Sequence, residues 1–133
     1  MPKSTAQTDK RRSLGAWGER LAAARLATAG YSIVARGWRC RYGEMDIIAT
    51  DRDTLVFCEV RTRRGNARGS AEESITPTKA TRLAQLALHY LLEREEAGDP
   101  WLGAYRIDVI AITLDAAGNL ELFNHLESAI GDI

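Results

Sequence analysis

Apolar side chains at Leu14, Trp17, Leu21 and Ala24 recur three and four residues apart, the spacing of a single helical stripe, and Ser13 stands just before them as an N-cap. Gly30 is the residue best able to take the left-handed conformation past a helix end, so this first helix is predicted to stop there. Tyr31 to Ala35 has β-branched character and reads as a strand, and the basic, aromatic run Gly37-Trp38-Arg39-Cys40-Arg41-Tyr42-Gly43 reads as a connection or a strand edge. Glu44 to Ala49 and Leu55 to Arg61 are two apolar segments separated by the polar, Asp-rich Thr50-Asp51-Arg52-Asp53-Thr54, which predicts an antiparallel hairpin. After a basic, glycine-containing loop at Gly65 to Ser70, Thr76-Pro77 gives a cap followed by the proline tolerated at a first helical position. Leu83, Leu86, Ala87, Tyr90 and Leu91 form the stripe of this second helix, Glu93, Glu95 and Glu96 lie at its end, and Gly98-Asp99-Pro100 stops it. Tyr105 to Thr113 is a fourth strand, Asp115 to Asn119 a turn, and Leu120 to Leu126 a shorter fifth strand before a frayed tail. The order is helix, three strands, helix, two strands. It predicts one α/β domain with a mixed sheet over residues 13–133, preceded by a flexible basic tail at residues 1–12.

Composition changes little in this picture, while charge adds to it. A chain of 133 residues with 45% hydrophobic and 27% charged residues is ordinary for one globular domain, which sets disordered and fibrous classes aside. The net charge of zero is a cancellation, because residues 1–70 hold fourteen Lys/Arg against seven Asp/Glu and residues 71–133 hold four against eleven. Such asymmetry suits a basic surface offered to an anionic partner, although an arginine excess is also what a plain solvated surface looks like. The polar start lacks the apolar core of a secretory signal and no run approaches a membrane span, so a cytoplasmic protein with no membrane association is expected. Cys40 and Cys58 are isolated, and His89 and His125 do not join them at zinc spacing, so both cysteines are read as reduced and structural.

The chemistry is concentrated in the predicted hairpin. Residues two apart on a strand share a face, so Glu59 stands with Arg61 and Glu44 with Asp46, while Val56, Cys58 and Val60 point the other way. Across a hairpin of this length Asp46 and Glu59 can approach, and two carboxylates held together favour a divalent cation that offsets their repulsion. Two acids and a cation in this layout are what metal-assisted phosphodiester hydrolysis requires.

Gly43-Glu44-Met45-Asp46 followed, thirteen residues after that Asp, by Glu59-Val60-Arg61 resembles the PD-(D/E)XK nuclease signature. Around it stand Gly15-x-x-Gly18-Glu19, Gly30-Tyr31, Trp38-Arg39-Cys40-Arg41, Phe57-Cys58-Glu59-Val60-Arg61-Thr62-Arg63, Thr76-Pro77-x-Lys79 and Arg106-Ile107-Asp108-Val109-Ile110. Together these resemble the YraN family over roughly residues 13–128. Those are small bacterial proteins with a restriction-endonuclease-like fold, similar to archaeal Holliday-junction resolvases. The resemblance implies that Asp46 and Glu59 are metal-binding acids for Mg²⁺ or Mn²⁺, that Arg61 occupies the place of the motif lysine, and that Glu19 matches an additional metal-site glutamate. It implies an endonuclease acting on DNA, with branched repair or recombination intermediates as substrates, and by analogy of fold a homodimer.

Arg61 departs from that pattern. Arginine keeps the charge and can clamp a phosphate, but with a pKa above ~12 it cannot serve as a base, so Lys79 near the start of the second helix is a second candidate ammonium. A nucleic-acid-binding protein that keeps the fold without catalysis is therefore the alternative reading. Arg36, Arg39, Arg41, Arg61, Arg63, Arg64 and Arg68 cluster in sequence around the site, and with Lys79 they predict recognition of the nucleic-acid backbone rather than of base sequence. Glu59 and Arg61 also fit an exposed ion pair, and Glu19 a solvated helix residue. Asp108 fits a salt bridge near Arg106, and Trp38 either stacks on a base or packs at the rim of the core.

Overall fold

The computed structural model describes residues 3–65 and 75–131, with side chains described from Ser13 onward, so Arg68 and most of the predicted loop from Gly65 to Ser70 lie outside the described residues. The element order is α1 (Lys3–Thr28), β1 (Ser32–Cys40), β2 (Gly43–Asp51), β3 (Thr54–Arg64), α2 (Pro77–Glu96), β4 (Tyr105–Leu114) and β5 (Leu120–Ile130). The five strands lie side by side in sequence order. Neighbours are antiparallel except β3 and β4, which are parallel and joined through α2. This is an α/β fold with a mixed sheet in the expected order. Among the described residues no helix is long and apolar enough to cross a membrane.

Each helix covers one face of the sheet. Ala22, Ala23 and Leu26 of α1 pack with Ile47, Ala49, Val56, Cys58, Ile110 and Ile112. Leu83, Leu86, Ala87 and Tyr90 of α2 pack with Met45, Ile48, Leu55, Phe57 and Ile107 on the other face. The central strand β3 is therefore apolar on both sides over Leu55–Cys58, as a strand between two layers must be. Trp38 belongs to the α2 layer, edge-on to Tyr90 with ring centroids 5.5 Å apart, so it packs rather than presenting a face to solvent.

The close of α1 and the start of α2 follow the sequence signals. Tyr31 N–H donates to Leu26 O and Gly30 N–H to Ala27 O at the end of α1, a Schellman arrangement that needs the positive φ of Gly30 (98°). At α2, Thr76 caps the first turn by accepting from the Lys79 amide at 3.2 Å, and Pro77 is the first helical residue.

Two boundaries differ from expectation. Helix α1 begins at Lys3, so Ser13 lies inside it and the segment expected to be a flexible tail enters the helix; between Lys3 and Ser13 the chain contains no proline or glycine to stop it. Of the two readings of the run from Gly37, the strand edge holds through Cys40: it is the second half of β1, an edge strand of the sheet, paired through Trp38↔Met45 and Arg39↔Glu44. β5 continues past Leu126 to Ile130, because a register shift opposite Asp108 lets the strand resume pairing at Ile107↔Ile130.

The buried stripe of α1 is also rotated from the predicted one. Trp17 and Ala24 are exposed, while Gly18, Ala22, Ala23 and Leu26 face the sheet. The cause is the close approach of α1 to β3, since a Cβ on Gly18 would collide with the Thr62 hydroxyl. Small residues win that face over large ones. Gly18→Ala is accordingly expected to lower stability by about 1–3 kcal/mol, an overpacking cost that outweighs alanine's better helix propensity. Urea denaturation measures it; a variant as stable as the parent would show that α1 can move off β3 freely.

Candidate functional site

Strands β2 and β3 pair from Asp51↔Thr54 to Ile47↔Cys58 and no further, while β3 runs on to Arg64 against β4. The two strands of the hairpin part beyond Ile47, leaving the β3 amides there without a β2 partner. Asp46 fills the opening: its Oδ2 accepts the Val60 amide at 2.8 Å. A carboxylate thus replaces a ladder carbonyl and is held rigidly between the strands.

The opening is reached from both layers. Glu19 arrives from α1 and Glu59 from β3, each close enough to Asp46 to share a proton with it. Glu44, two residues before Asp46 on β2, brings a carboxylate oxygen within 4.8 Å of those of Glu19 and Asp46. Arg61 sits on Glu59, with Nη2 3.1 Å from Oε2, and the Nε of the same guanidinium is buried with no hydrogen-bond partner. Arg39, largely exposed, pairs with Glu44 at 3.2 Å. Gly37 opposes this part of β2, where a Cβ would come within 3.2 Å of Glu44 Oε1.

So many carboxylates cannot all ionise cheaply. Burial pushes Asp46 well above its usual range, and the hydrogen bond and charge of Glu59 push it further, against the opposing Val60 amide. Burial raises Glu19 to about 7, helped by the charges of Asp46 and Glu44 and opposed by Arg36. In the absence of a cation Asp46 and Glu19 therefore retain protons toward neutral pH. The donors are all hard oxygens, a set that fits Mg²⁺, Mn²⁺ or Ca²⁺ better than a soft transition metal, and the raised proton affinity of Asp46 and Glu19 is the same electrostatic deficit a divalent ion would fill.

A second group of metal-type side chains, Cys58, Asp108 and His125, lies on the α1 side of the sheet. It does not fit a cation. Asp108 is fully buried, and its oxygens already accept from Arg106 Nε (3.1 Å to each), His125 Nε2 (2.8 Å) and the Ser128 amide (2.9 Å). Arg106 also donates to the Tyr31 hydroxyl at 2.7 Å. Burial and the Asp108 charge hold the Cys58 thiol well above its ordinary range, so it stays protonated, and Cys40 and Cys58 are both free. Asp108 is the hub that fastens the shifted end of β5 to the sheet.

The basic residues gather at one end. β1, β3 and β4 finish, and β2 and α2 start, at the same edge of the sheet, so Arg39, Arg41, Arg63, Arg64 and Lys79 share the end that carries the acids. They are spread over it rather than clustered: Arg41 bonds the Tyr42 hydroxyl at 2.6 Å, and the Arg64 guanidinium lies by Gly118 in the β4–β5 turn. Glu44 was legible in sequence only as the same-face neighbour of Asp46, and its place in the group comes from α1 bringing Glu19 across. The His125 contact with Asp108 has no sequence signal at all, since the residues are seventeen apart on different strands.

Fold and site define a class: a small α/β protein whose parted hairpin encloses a carboxylate cluster flanked by arginines. A family model described as "Uncharacterised protein family UPF0102" matches residues 18–112. A UPF0102 protein of Herpetosiphon aurantiacus is 58% identical over 106 residues, 80% of this chain and 86% of that protein. Another from Acidothermus cellulolyticus is 51% identical over 108 residues (77% and 82%), and one from Nocardia farcinica 44% over 123 residues (92% and 93%). The chain belongs to the UPF0102 (YraN) family.

Proposed function

We propose that this protein is a divalent-cation-dependent endonuclease of PD-(D/E)XK type that acts in the cytosol on DNA, with branched repair or recombination intermediates as its substrates. The observation that carries the reading is the meeting of Glu19, Glu44 and Asp46 beside the gap between β2 and β3, with Glu59 outside that trio, against Asp46 on one side and Arg61 on the other. Asp46 and Glu59, with Glu19 and Glu44 around them, would hold Mg²⁺ or Mn²⁺. The ion, when bound, supplies Lewis-acid activation of water and of the phosphoryl oxygens.

The chain's own residues do the rest. The Val60 amide fixes Asp46, so the site is set before substrate arrives. Arg61, partly exposed beside Glu59, brings a positive charge that offsets the negative charge developing on a phosphate oxygen. Arg39 can exchange Glu44 for a backbone phosphate, because an exposed ion pair is worth little in water. Arg41, Arg63, Arg64 and Lys79 neutralise flanking phosphates from the same end of the sheet. A homodimer accords with cutting two strands of a junction.

The 3.1 Å contact of Arg61 with Glu59 favours a second reading, a nucleic-acid-binding protein that keeps the fold without catalysis, since a guanidinium committed to a site acid is not where a motif lysine would act. Cleavage of labelled four-way junction, flap, single-stranded and duplex DNA, and of RNA, with Mg²⁺ or Mn²⁺ separates the two. The nuclease reading expects cleavage that Glu59→Ala removes. It also expects Arg61→Lys to cleave faster by on the order of tenfold, about 1.4 kcal/mol of barrier, because an ammonium restores a titratable proton donor. No cleavage by either protein, with salt-sensitive binding intact, establishes the second reading.

A further inference from the structure

The turn between β1 and β2 presents an aromatic residue that the acid cluster does not use. Tyr42 is 42% exposed, and its ring lies over His89 of α2 with centroids 4.2 Å apart and planes 30° apart, a stacked geometry. The exposed Arg41 guanidinium lies over the ring, 4.8 Å from its centroid, and bonds its hydroxyl. The turn is clamped to α2 just beyond: Gly43, at a φ of 143° that side chains rarely adopt, lies against Leu86 and Arg82. A large ring is thus held out from the surface by an imidazole and a cation, instead of turning inward as Trp38 does four residues earlier.

We propose that Tyr42, backed by His89, is a stacking platform for an unpaired nucleobase of a DNA strand whose backbone crosses the acid cluster, the base taking the place of the exposed Arg41 guanidinium over the ring and Arg41 turning to the adjoining phosphate. This inference rests on the nucleic-acid reading above and names the structure it selects. A flat aromatic face with a guanidinium beside it is the recognition chemistry of single-stranded nucleic acid, in which every base offers a π-face and the cation meets the adjoining phosphate. Tyr42 stands four residues, about 13 Å of strand, before Asp46, on the α2 side of the sheet end that carries the acids, so the strand must pass over that end to meet both. In a continuous duplex each base is already stacked on its neighbours, so the platform favours strands that are flapped, gapped or splayed at a branch.

The test is binding of a short single-stranded DNA containing 2-aminopurine and of a matched duplex, in Ca²⁺, by anisotropy and by quenching of 2-aminopurine emission. Wild type is expected to quench the emission and to prefer the single strand. Tyr42→Ala is expected to weaken single-strand binding roughly five- to a hundredfold, with the quenching lost and duplex affinity little changed, and Tyr42→Phe to bind as wild type does. His89→Ala should give a smaller loss in the same direction. Unchanged single-strand binding in Tyr42→Ala, or an equal loss for both DNAs, overturns the platform while leaving the nucleic-acid reading in place. Failure of wild type to bind any nucleic acid overturns both.

Discussion

Asp46→Asn is expected to abolish the binding of Mg²⁺ or Mn²⁺, measured by calorimetry, and with it any cleavage, while raising the stability of the cation-free protein at alkaline pH. Asparagine is near in shape and its oxygen can still accept the Val60 amide, so the parted hairpin should keep its form. What it removes is the buried charge on which Glu19 and Glu59 converge. The sign of the pH effect follows from proton binding. Asp46 and Glu19 hold protons in the folded state to higher pH than in the unfolded chain, where carboxyls titrate near ~4. Between that value and the raised folded values, about 7 for Glu19 and also raised for Asp46, the native state binds more protons. The cation-free wild type therefore loses stability as pH rises through this window. In Asp46→Asn that decline should flatten. Saturating Mg²⁺ should instead restore wild type at the alkaline end, by about 1.4 kcal/mol when the free ion is ten times its Kd, and leave the variant unmoved. Melting curves at pH 5 and pH 8 with and without the ion check this. Equal ion-induced stabilisation of the two proteins would mean that the cation binds elsewhere.

The second large effect is expected at the other polar centre. Asp108→Ala strips the acceptor from Arg106, His125 and the Ser128 amide at once, in a place fully closed to water. Removing one partner of a buried ionic group costs about 3–5 kcal/mol, mainly because the groups left behind are desolvated and unpaired. The lower end is expected here, since Arg106 retains Asp51 at 3.5 Å and Glu127 at 3.8 Å. His125→Ala removes one bond of the set and should cost about 1–2 kcal/mol. Urea denaturation should show a lower midpoint with an unchanged slope for both. Asp108→Ala should also loosen β5 from Leu126 onward, detectable as faster amide exchange, because Asp108 holds the amide at the strand's irregularity. A variant as stable as the parent would mean that the network contributes specificity rather than stability.

The patterns legible in the chain were the local ones. Thr76-Pro77 starts α2 and Gly30 closes α1 because caps depend on a few adjacent residues. The Asp46 and Glu59 segments fall on paired strands because Asp51 to Thr54 can only turn back on itself. The stripe of α2 matched for Leu83, Leu86, Ala87 and Tyr90, since a helix that buries one face against a sheet displays its period openly. On α1 the same reasoning chose the larger side chains, whereas the buried face is the small one, because what decides it is how near β3 stands.

Sequence by itself thus determined the order of elements, the close of α1, the start of α2 and the residue types available for chemistry, all of which depend on neighbours within a few positions. Tertiary structure alone decided that β2 and β3 part beyond Ile47, that Asp46 turns into the gap, that α1 carries Glu19 to it and that Glu44 joins. It also decided that Trp38 packs inward while Tyr42 stays out, and that Asp108 gathers Arg106, His125 and Ser128. Each of these contacts joins positions whose distance in space is set by the packing of whole helices against the sheet, a sum over the fold that no short window of residues contains.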